Sequence, residues 1–426
     1  MSVDSAVELS APGRRARHAA RTRSARRWRR AGVLGVVMLL VAGAAVVAVL
    51  RLDAPLPVAT VTNALTPPAS TSFTAPALPW PTVGESAVAV PYVGAAAQST
   101  PDERPVPIAS LTKMMTAYVI LHDHPLAVGQ DGPMVTITQA DLDDFDNDTV
   151  TDQANAQVVL GEQISERDLL GGMLVHSANN FAYTLALWDA GSLSAFVAKM
   201  NATAAQLGMD HTHYADASGY DQDSQSTPAD LLKVAAPDMA DPVFAGFVRM
   251  PSITLPVAGT LSTYTPLLGI QGVIGVKSGF TTVAGGCDVL AVMRSVHGVS
   301  TMVLTAVTGQ QGLNVLGQAG LQALNLANAT AKVVGAQTYV HQGEEVATVA
   351  AAGHTVLATA AGSRRFLTWP GSTVVQHLVV TRHVRPGAAK GTTIGSLVLT
   401  MGRQRQVVPV RLSRALPKES LTQRLF

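Results

Sequence analysis

Three short segments carry the residues best suited to chemistry in this chain: Ser110-Leu-Thr-Lys113, Ser177-Ala-Asn179 and Lys277-Ser-Gly279. A serine hydroxyl is a poor nucleophile until a base takes its proton. A lysine can be that base once its pKa is lowered, which burial and a second nearby cation both favour. Lys113 follows Ser110 by three residues, one helical turn along the same face, and Lys277 is the candidate second cation. In this order the segments specify acyl transfer through a serine whose proton is handled by lysine rather than histidine. Alone, each reads as a helix face, a turn with a helix cap, or a strand ending in a turn.

The elements beneath the segments supply the missing specificity. Pro105 and Pro107 halt the chain before Ser110, and apolar residues then recur at helical spacing from Leu111 to Leu121. Ser110 is therefore expected at a helix start, where a backbone N–H and the positive end of the helix dipole can meet an oxyanion. Ser165-Glu-Arg-Asp168 fits a capping box opening a helix to about Val175, and Phe181 to Trp188 opens another. Ser177 and Asn179 fall on their connection, where the hydroxyl can pass a proton and the amide can hold a peptide group. Helices are also expected over Ala195 to Leu207, from Thr227-Pro228, and from about Leu313 to Ala329. Strands are expected over Ser86 to Val93, Val273 to Gly279, Cys287 to Arg294 and Val299 to Thr308. On the strand from Val273, Lys277 and Gly279 face one way. Gly279 leaves room for a substrate, and the cation with the Ser278 hydroxyl suits a carboxylate. A helical insert between an early strand and late antiparallel strands gives the α+β class.

The ends of the chain bear on location. Nine arginines between Arg14 and Arg30 precede an uncharged run from Ala31 to Leu50, which spans roughly 30 Å as a helix. The run is long and followed directly by Arg51, so it reads as an uncleaved signal anchor rather than a cleaved leader. Residues 1–30 are then cytoplasmic, 31–50 cross the membrane, and 51–85, rich in Pro, Ala and Thr, tether the exported part. Residues 86–333 form the catalytic unit. From 334 to 426 short strands with Gly and Pro turns suggest a small β domain and tail. The net charge of +1 gives no case for nucleic-acid binding, and the single cysteine, Cys287, excludes an internal disulfide. Cys287 reads as a buried strand thiol. Arginine outnumbers lysine 23 to 7, so lysines inside motifs carry more information.

With these residues in view, the chain resembles the serine-type D-alanyl-D-alanine carboxypeptidases, the low-molecular-mass penicillin-binding proteins, over roughly Ser86 to Asn328. Beyond the three segments, Leu169-Leu-Gly-Gly-Met-Leu-Val175, Met200-Asn201, Leu207-Gly-Met209 and Ser226-Thr-Pro-Ala-Asp230 match family landmarks. The resemblance implies a β-lactamase/transpeptidase-like fold, a five-stranded antiparallel sheet flanked by helices with a helical subdomain. It implies Ser110 as the acylated nucleophile, Lys113 as its base, and Ser177 and Asn179 as the second-motif pair. Lys277 and Ser278 would bind the terminal carboxylate beside Gly279, with the backbone N–H groups of Ser110 and Phe280 as the oxyanion hole. The implied substrate is a peptidoglycan pentapeptide, with β-lactam antibiotics as covalent inhibitors and no cofactor. Ser278 stands where the family usually has Thr, Asn180 where it often has Asp, and Thr263-Tyr-Thr-Pro-Leu267 replaces an asparagine-bearing segment.

Two other readings compete with this one. A class A β-lactamase hydrolyses its acyl-enzyme with a glutamate between the second and third segments, yet no glutamate occurs from Arg167 to Gly343. An inactive peptidoglycan-binding or scaffolding protein of the same fold would not need the intact serine–lysine set. No Gly-x-Ser-x-Gly elbow or His-Glu-x-x-His metal motif is present, and no metal is expected. A Ser-His pair from His176 and Ser177 is disfavoured because adjacent side chains diverge. Asp144-Phe-Asp-Asn-Asp148 lacks the Gly and closing Glu of a calcium loop and reads as an acidic loop.

Overall fold

The computed structural model describes residues 14–65, 77–100, 102–381 and 383–425, with side chains from residue 27 onward. Residues 1–13 of the expected cytoplasmic segment and Pro67-Pro68 of the expected tether lie outside the described residues. Helix α1 (Arg14–Asp53) contains the uncharged run, and its part from Arg27 to Asp53 is long and apolar enough to cross a membrane. None of that part packs against the rest of the protein over its most apolar stretch.

The central sheet is antiparallel and five-stranded. Its members are β2 (Glu85–Val90), β3 (Ala95–Gln98), β4 (Val273–Thr281), β5 (Gly285–Val296) and β6 (Val299–Gln310), in the order β4-β5-β6-β2-β3; β1 is described below. Both faces are covered, so the strands read as nearly continuous apolar runs instead of alternating ones. Alternation shows in destination: Ala87, Val289, Ala291, Leu304 and Ala306 enter the core under the helical subdomain. Their neighbours Val88, Leu290, Val292, Val303 and Val307 enter a second core on the other face. There they meet Ala323, Leu326 and Ala327 of the late helix Val315–Val333.

On the first face lie α2 (Thr112–Asp123), α3 (Gln139–Val150), α4 (Glu166–Val175), α5 (Asn179–Ala190), α6 (Leu193–Gln206) and α7 (Pro228–Asp238). Ser110 sits in the 3-10 turn Ala109–Leu111 that leads into α2, so the Ser110-Leu-Thr-Lys113 segment begins a helix as its spacing predicts. Ser165 caps α4 by accepting from the Asp168 N–H at 3.1 Å. The full reciprocal box occurs at Thr138 and Asp141, opening α3.

Several expectations need correction. The acidic stretch Asp144 to Asp148 is not a loop: it lies within α3, which the Thr138–Asp141 cap opens and which Leu142 and Phe145 pack against the core. The fifth strand, β3, was not legible because Ala95–Gln98 is short and weakly patterned. Part of the expected tether also folds. Strand β1 (Thr60–Asn63) pairs antiparallel with Glu345–Ala351, adding an edge to a six-stranded sheet in the C-terminal region, and Leu78 and Trp80 pack on the second core. Thr and Val at alternate positions of β1 satisfy that edge, a partner that local composition could not reveal.

Candidate active site

Helix α2 carries Lys113 into full burial beneath Ser110. Its Nζ lies 2.9 Å from Ser110 Oγ, 2.5 Å from Asn179 Oδ1 and 2.8 Å from the Ser218 carbonyl oxygen. Two of these three partners can only accept. A neutral amine gives its two hydrogens to them and turns its lone pair to the Ser110 hydroxyl, the arrangement of a base at rest. Burial, and then the charge of Lys277, hold the Lys113 pKa well below its usual 10.5, against the opposing pull of Asp216 and Asp148.

The turn before Ser110 is held in left-handed backbone at Ala109 (φ 49°), and Ser177 is left-handed as well (φ 64°). Non-glycine residues there cost energy and persist only where surrounding contacts fix them. Gly219 leaves the space taken by the Ala109 carbonyl, since a Cβ at Gly219 would lie 1.9 Å from that oxygen. Ser177 is buried between α4 and α5. His176 beside it turns to the Ser262 carbonyl at 2.8 Å and to the Tyr264 ring, so it forms no pair with Ser177.

Asn179, the first residue of α5, joins Lys113 to the loop before α4: its Nδ2 donates to Gln153 Oε1 at 2.6 Å and its N–H to the Ala154 carbonyl at 2.8 Å. Asn180, where resemblance suggested a carboxylate, makes a two-way bond with the Ala156 backbone and so serves the loop rather than the reacting groups.

Strand β4 is an edge of the sheet, leaving a backbone row free for an extended peptide. A Cβ at Gly279 would stand 2.7 Å from the Ser110 nitrogen, so the strand and the turn carrying Ser110 meet at that glycine. Ser278 Oγ donates to the Tyr264 carbonyl at 2.8 Å. Lys277 is buried, donates to the Ser278 carbonyl at 2.8 Å, and has its pKa lowered to about 8 by burial, against the attraction of Asp288. A cavity of about 180 Å³ gathers Ser110, Ser177, Ser278, Gly279 and Phe280, with Tyr264 and Leu316 at its apolar end. Lys277 lies behind this cavity rather than on its wall.

Sequence reasoning missed the segment that offers Lys113 a carbonyl. Asp216 accepts from Ser218 Oγ at 2.7 Å, Ser224 Oγ at 2.6 Å and the Gly219 N–H at 2.9 Å, folding that segment tightly. Thr116 of α2 donates to the Ala217 carbonyl at 2.6 Å and seats it. The Asp-x-Ser-Gly pattern was the available signal. Cys287 is fully buried on β5, its thiol pushed up to about 12 by burial, which leaves it unreactive. Among the described residues no cluster of side chains suits a metal ion.

A model of the D-alanyl-D-alanine carboxypeptidase family matches residues 85–308. A D-alanyl-D-alanine endopeptidase of Pseudomonas aeruginosa is 32% identical over 212 residues, 47% of this chain and 64% of that relative's length. A D-alanyl-D-alanine carboxypeptidase of a Streptomyces species is 30% identical over 214 residues, 46% of this chain and 72% of the relative. In fold, the chain is similar to penicillin binding protein 5 from Haemophilus influenzae, with a TM-score of 0.56 and 21% identity over 82% of this chain and 100% of that one. The family match takes in more than half of the chain and all three motif segments, which the fold brings to one edge of one sheet, and the protein belongs to the D-alanyl-D-alanine carboxypeptidase family.

Proposed function

We propose that this protein is a serine D-alanyl-D-alanine carboxypeptidase that removes the terminal D-alanine from peptidoglycan stem pentapeptides through an acyl-enzyme on Ser110. The observation that carries the reading is the buried Lys113 amine, 2.9 Å from Ser110 Oγ with two acceptors occupying its hydrogens. As Ser110 Oγ attacks the penultimate D-alanine carbonyl carbon, its proton passes to Lys113 and the negative charge goes to the carbonyl oxygen. The backbone N–H groups of Ser110 and Phe280 stabilise that oxygen. The C–N bond breaks when its nitrogen takes a proton from Lys113 by way of Ser177, releasing D-alanine. A water molecule then attacks the ester, gives a proton to the same amine, and frees Ser110 with the shortened peptide.

Asn179 holds both Lys113 and the substrate amide. Lys277 acts through its field, and Ser278 through its hydroxyl, on the terminal carboxylate, while Gly279 allows the peptide to lie along β4. The same geometry accepts a β-lactam, whose strained amide replaces the peptide bond. Residues 1–30 are cytoplasmic, 31–50 span the membrane and 51–85 lead to an extracytoplasmic catalytic unit at 86–333, followed by the small β domain and tail at 334–426.

The test uses the full chain in detergent with a pentapeptide ending in D-Ala-D-Ala. Free D-alanine and the tetrapeptide are expected, along with one penicillin adduct by intact-mass spectrometry that Ser110→Ala loses. Penicillin labelling without D-alanine release would favour an inert binding protein, and an adduct retained in Ser110→Ala would remove Ser110 from its role.

A further inference from the structure

We propose that Asp148 is a positioning residue for Lys113, the buried counter-charge that steadies the ammonium formed when Ser110 gives up its proton; the proposal rests on the reading of Lys113 as the base. Asp148 stands in the last turns of α3 and is fully buried. Neither of its carboxyl oxygens makes a hydrogen bond. A carboxyl buried without partners is costly and demands an explanation, which a charge that comes and goes beside it supplies.

Three hydrogen bonds tie Asp148 to the reacting pair. Its carbonyl accepts from the Gln153 N–H at 2.8 Å, Gln153 Oε1 accepts from Asn179 Nδ2 at 2.6 Å, and Asn179 Oδ1 lies 2.5 Å from Lys113 Nζ. Asp148 lines neither the cavity beside Ser278 nor the one that continues from Ser110 past Asn179 to Tyr220, so it acts on Lys113 and not on the peptide.

Two carboxyl groups attract the Lys113 ammonium, and they differ in what else they hold. Asp216 exerts the larger pull, but its oxygens are taken by Ser218 Oγ, Ser224 Oγ and the N–H groups of Gly219 and Tyr220. Its charge is committed to folding its own segment. For Asp148, burial and then Asp144 raise the pKa to about 7, while the Lys113 charge and the dipole of the Asn180 N–H oppose the rise. Of the other titratable groups around it, Asp141 accepts from Thr184 Oγ1 at 2.6 Å, and Tyr183, its pKa raised chiefly by burial, stays neutral. Above about pH 7 Asp148 is therefore ionised before the proton moves, and the new ammonium meets a charge already in place. Below that pH the support fades.

The deciding measurement is the pH profile of penicillin acylation of the full chain in detergent, followed by stopped flow beside thermal unfolding, for the unmodified protein, Asp148→Asn and Asp148→Glu. In Asp148→Asn the rate should fall about tenfold at about pH 7.5 and by less at about pH 5.5, and the midpoint of the acidic limb should move to lower pH by about one unit. Asp148→Glu returns the charge and should return the limb. Asp148→Ser, which removes the charge and leaves room, takes the place of any variant that does not fold and should behave as Asp148→Asn. A purely structural role would lower the rate by one factor at every pH. That result, or an acidic limb that stays in place when the charge is removed, would overturn the role of Asp148 alone. Absence of any adduct on Ser110 in the unmodified protein would overturn the reading of Lys113 and this proposal with it.

Discussion

For Lys113 the decisive quantity is how far burial and Lys277 hold its pKa below that of an ordinary lysine. Because burial and Lys277 hold its pKa well below 10.5, acylation by penicillin should already climb with pH far below the ordinary lysine range. Lys277 must keep its proton to attract a carboxylate, and with its pKa lowered to about 8 it loses that proton in mildly alkaline solution. The pH profile of the acylation rate should thus be bell-shaped, with its falling limb near pH 8. Lys277→Ala should slow acylation and remove the alkaline limb. It should also move the acidic limb to higher pH, because a like charge that depressed Lys113 is gone. A rate still rising through pH 10 in the unmodified protein would contradict both assignments.

Among the elements, the contact between β4 and the nucleophile turn controls whether the motifs act together. Gly279 is the contact point, and the atoms a Cβ would strike, the Ser110 nitrogen at 2.7 Å, the Ala109 Cβ at 3.1 Å and the Leu111 nitrogen at 3.3 Å, all belong to the turn itself. Gly279→Ala should impose about 1–3 kcal/mol of overpacking strain at that turn. If the strain displaces Ser110 in the transition state, acylation slows about ten- to a hundredfold while the melting temperature falls by only a few degrees. Stopped-flow acylation kinetics beside thermal unfolding would check this, and an unchanged rate would show that the strand yields without moving Ser110.

Over the whole molecule, buried carboxyl groups set the pH dependence of stability. Glu103, Asp148 and Glu166 are raised to about 7 by burial, and Asp238 and Asp288 are raised well above their usual value for the same reason. Each has a buried oxygen without a hydrogen-bond partner. Unfolded, these groups ionise near 3.8 or 4.5, so between there and about pH 7 the folded state binds more protons. Their contribution is fully present below the unfolded values and is lost as pH rises through the folded ones. Lys113 and Lys277 work in the opposite sense, but as two groups against five. The urea midpoint of the full chain in detergent should therefore be lower at pH 8 than at pH 5, and a higher midpoint at pH 8 would contradict the balance.

The sequence by itself determined the family, the candidate reacting residues and the elements that bear them. Ser110 and Lys113 lie one turn apart, a relation fixed by helix geometry, and both faces of β5 and β6 are apolar because both are buried. It also determined the apolar length of α1. Only the tertiary structure decided what depends on residues far apart in the chain. The Ser218 carbonyl reaches Lys113 because Asp216 folds its own segment, and Asn180 became a backbone clamp because Ala156 lies opposite it. Thr60–Asn63 became a strand because a distant sheet edge was open to it, and Asp144 to Asp148 became helix because Leu142 and Phe145 pack on the core and Thr184 of α5 holds Asp141. Local periodicity records which face of an element is apolar, whereas hydrogen-bond partners and burial of charge are set by packing between elements, which no short window of sequence contains.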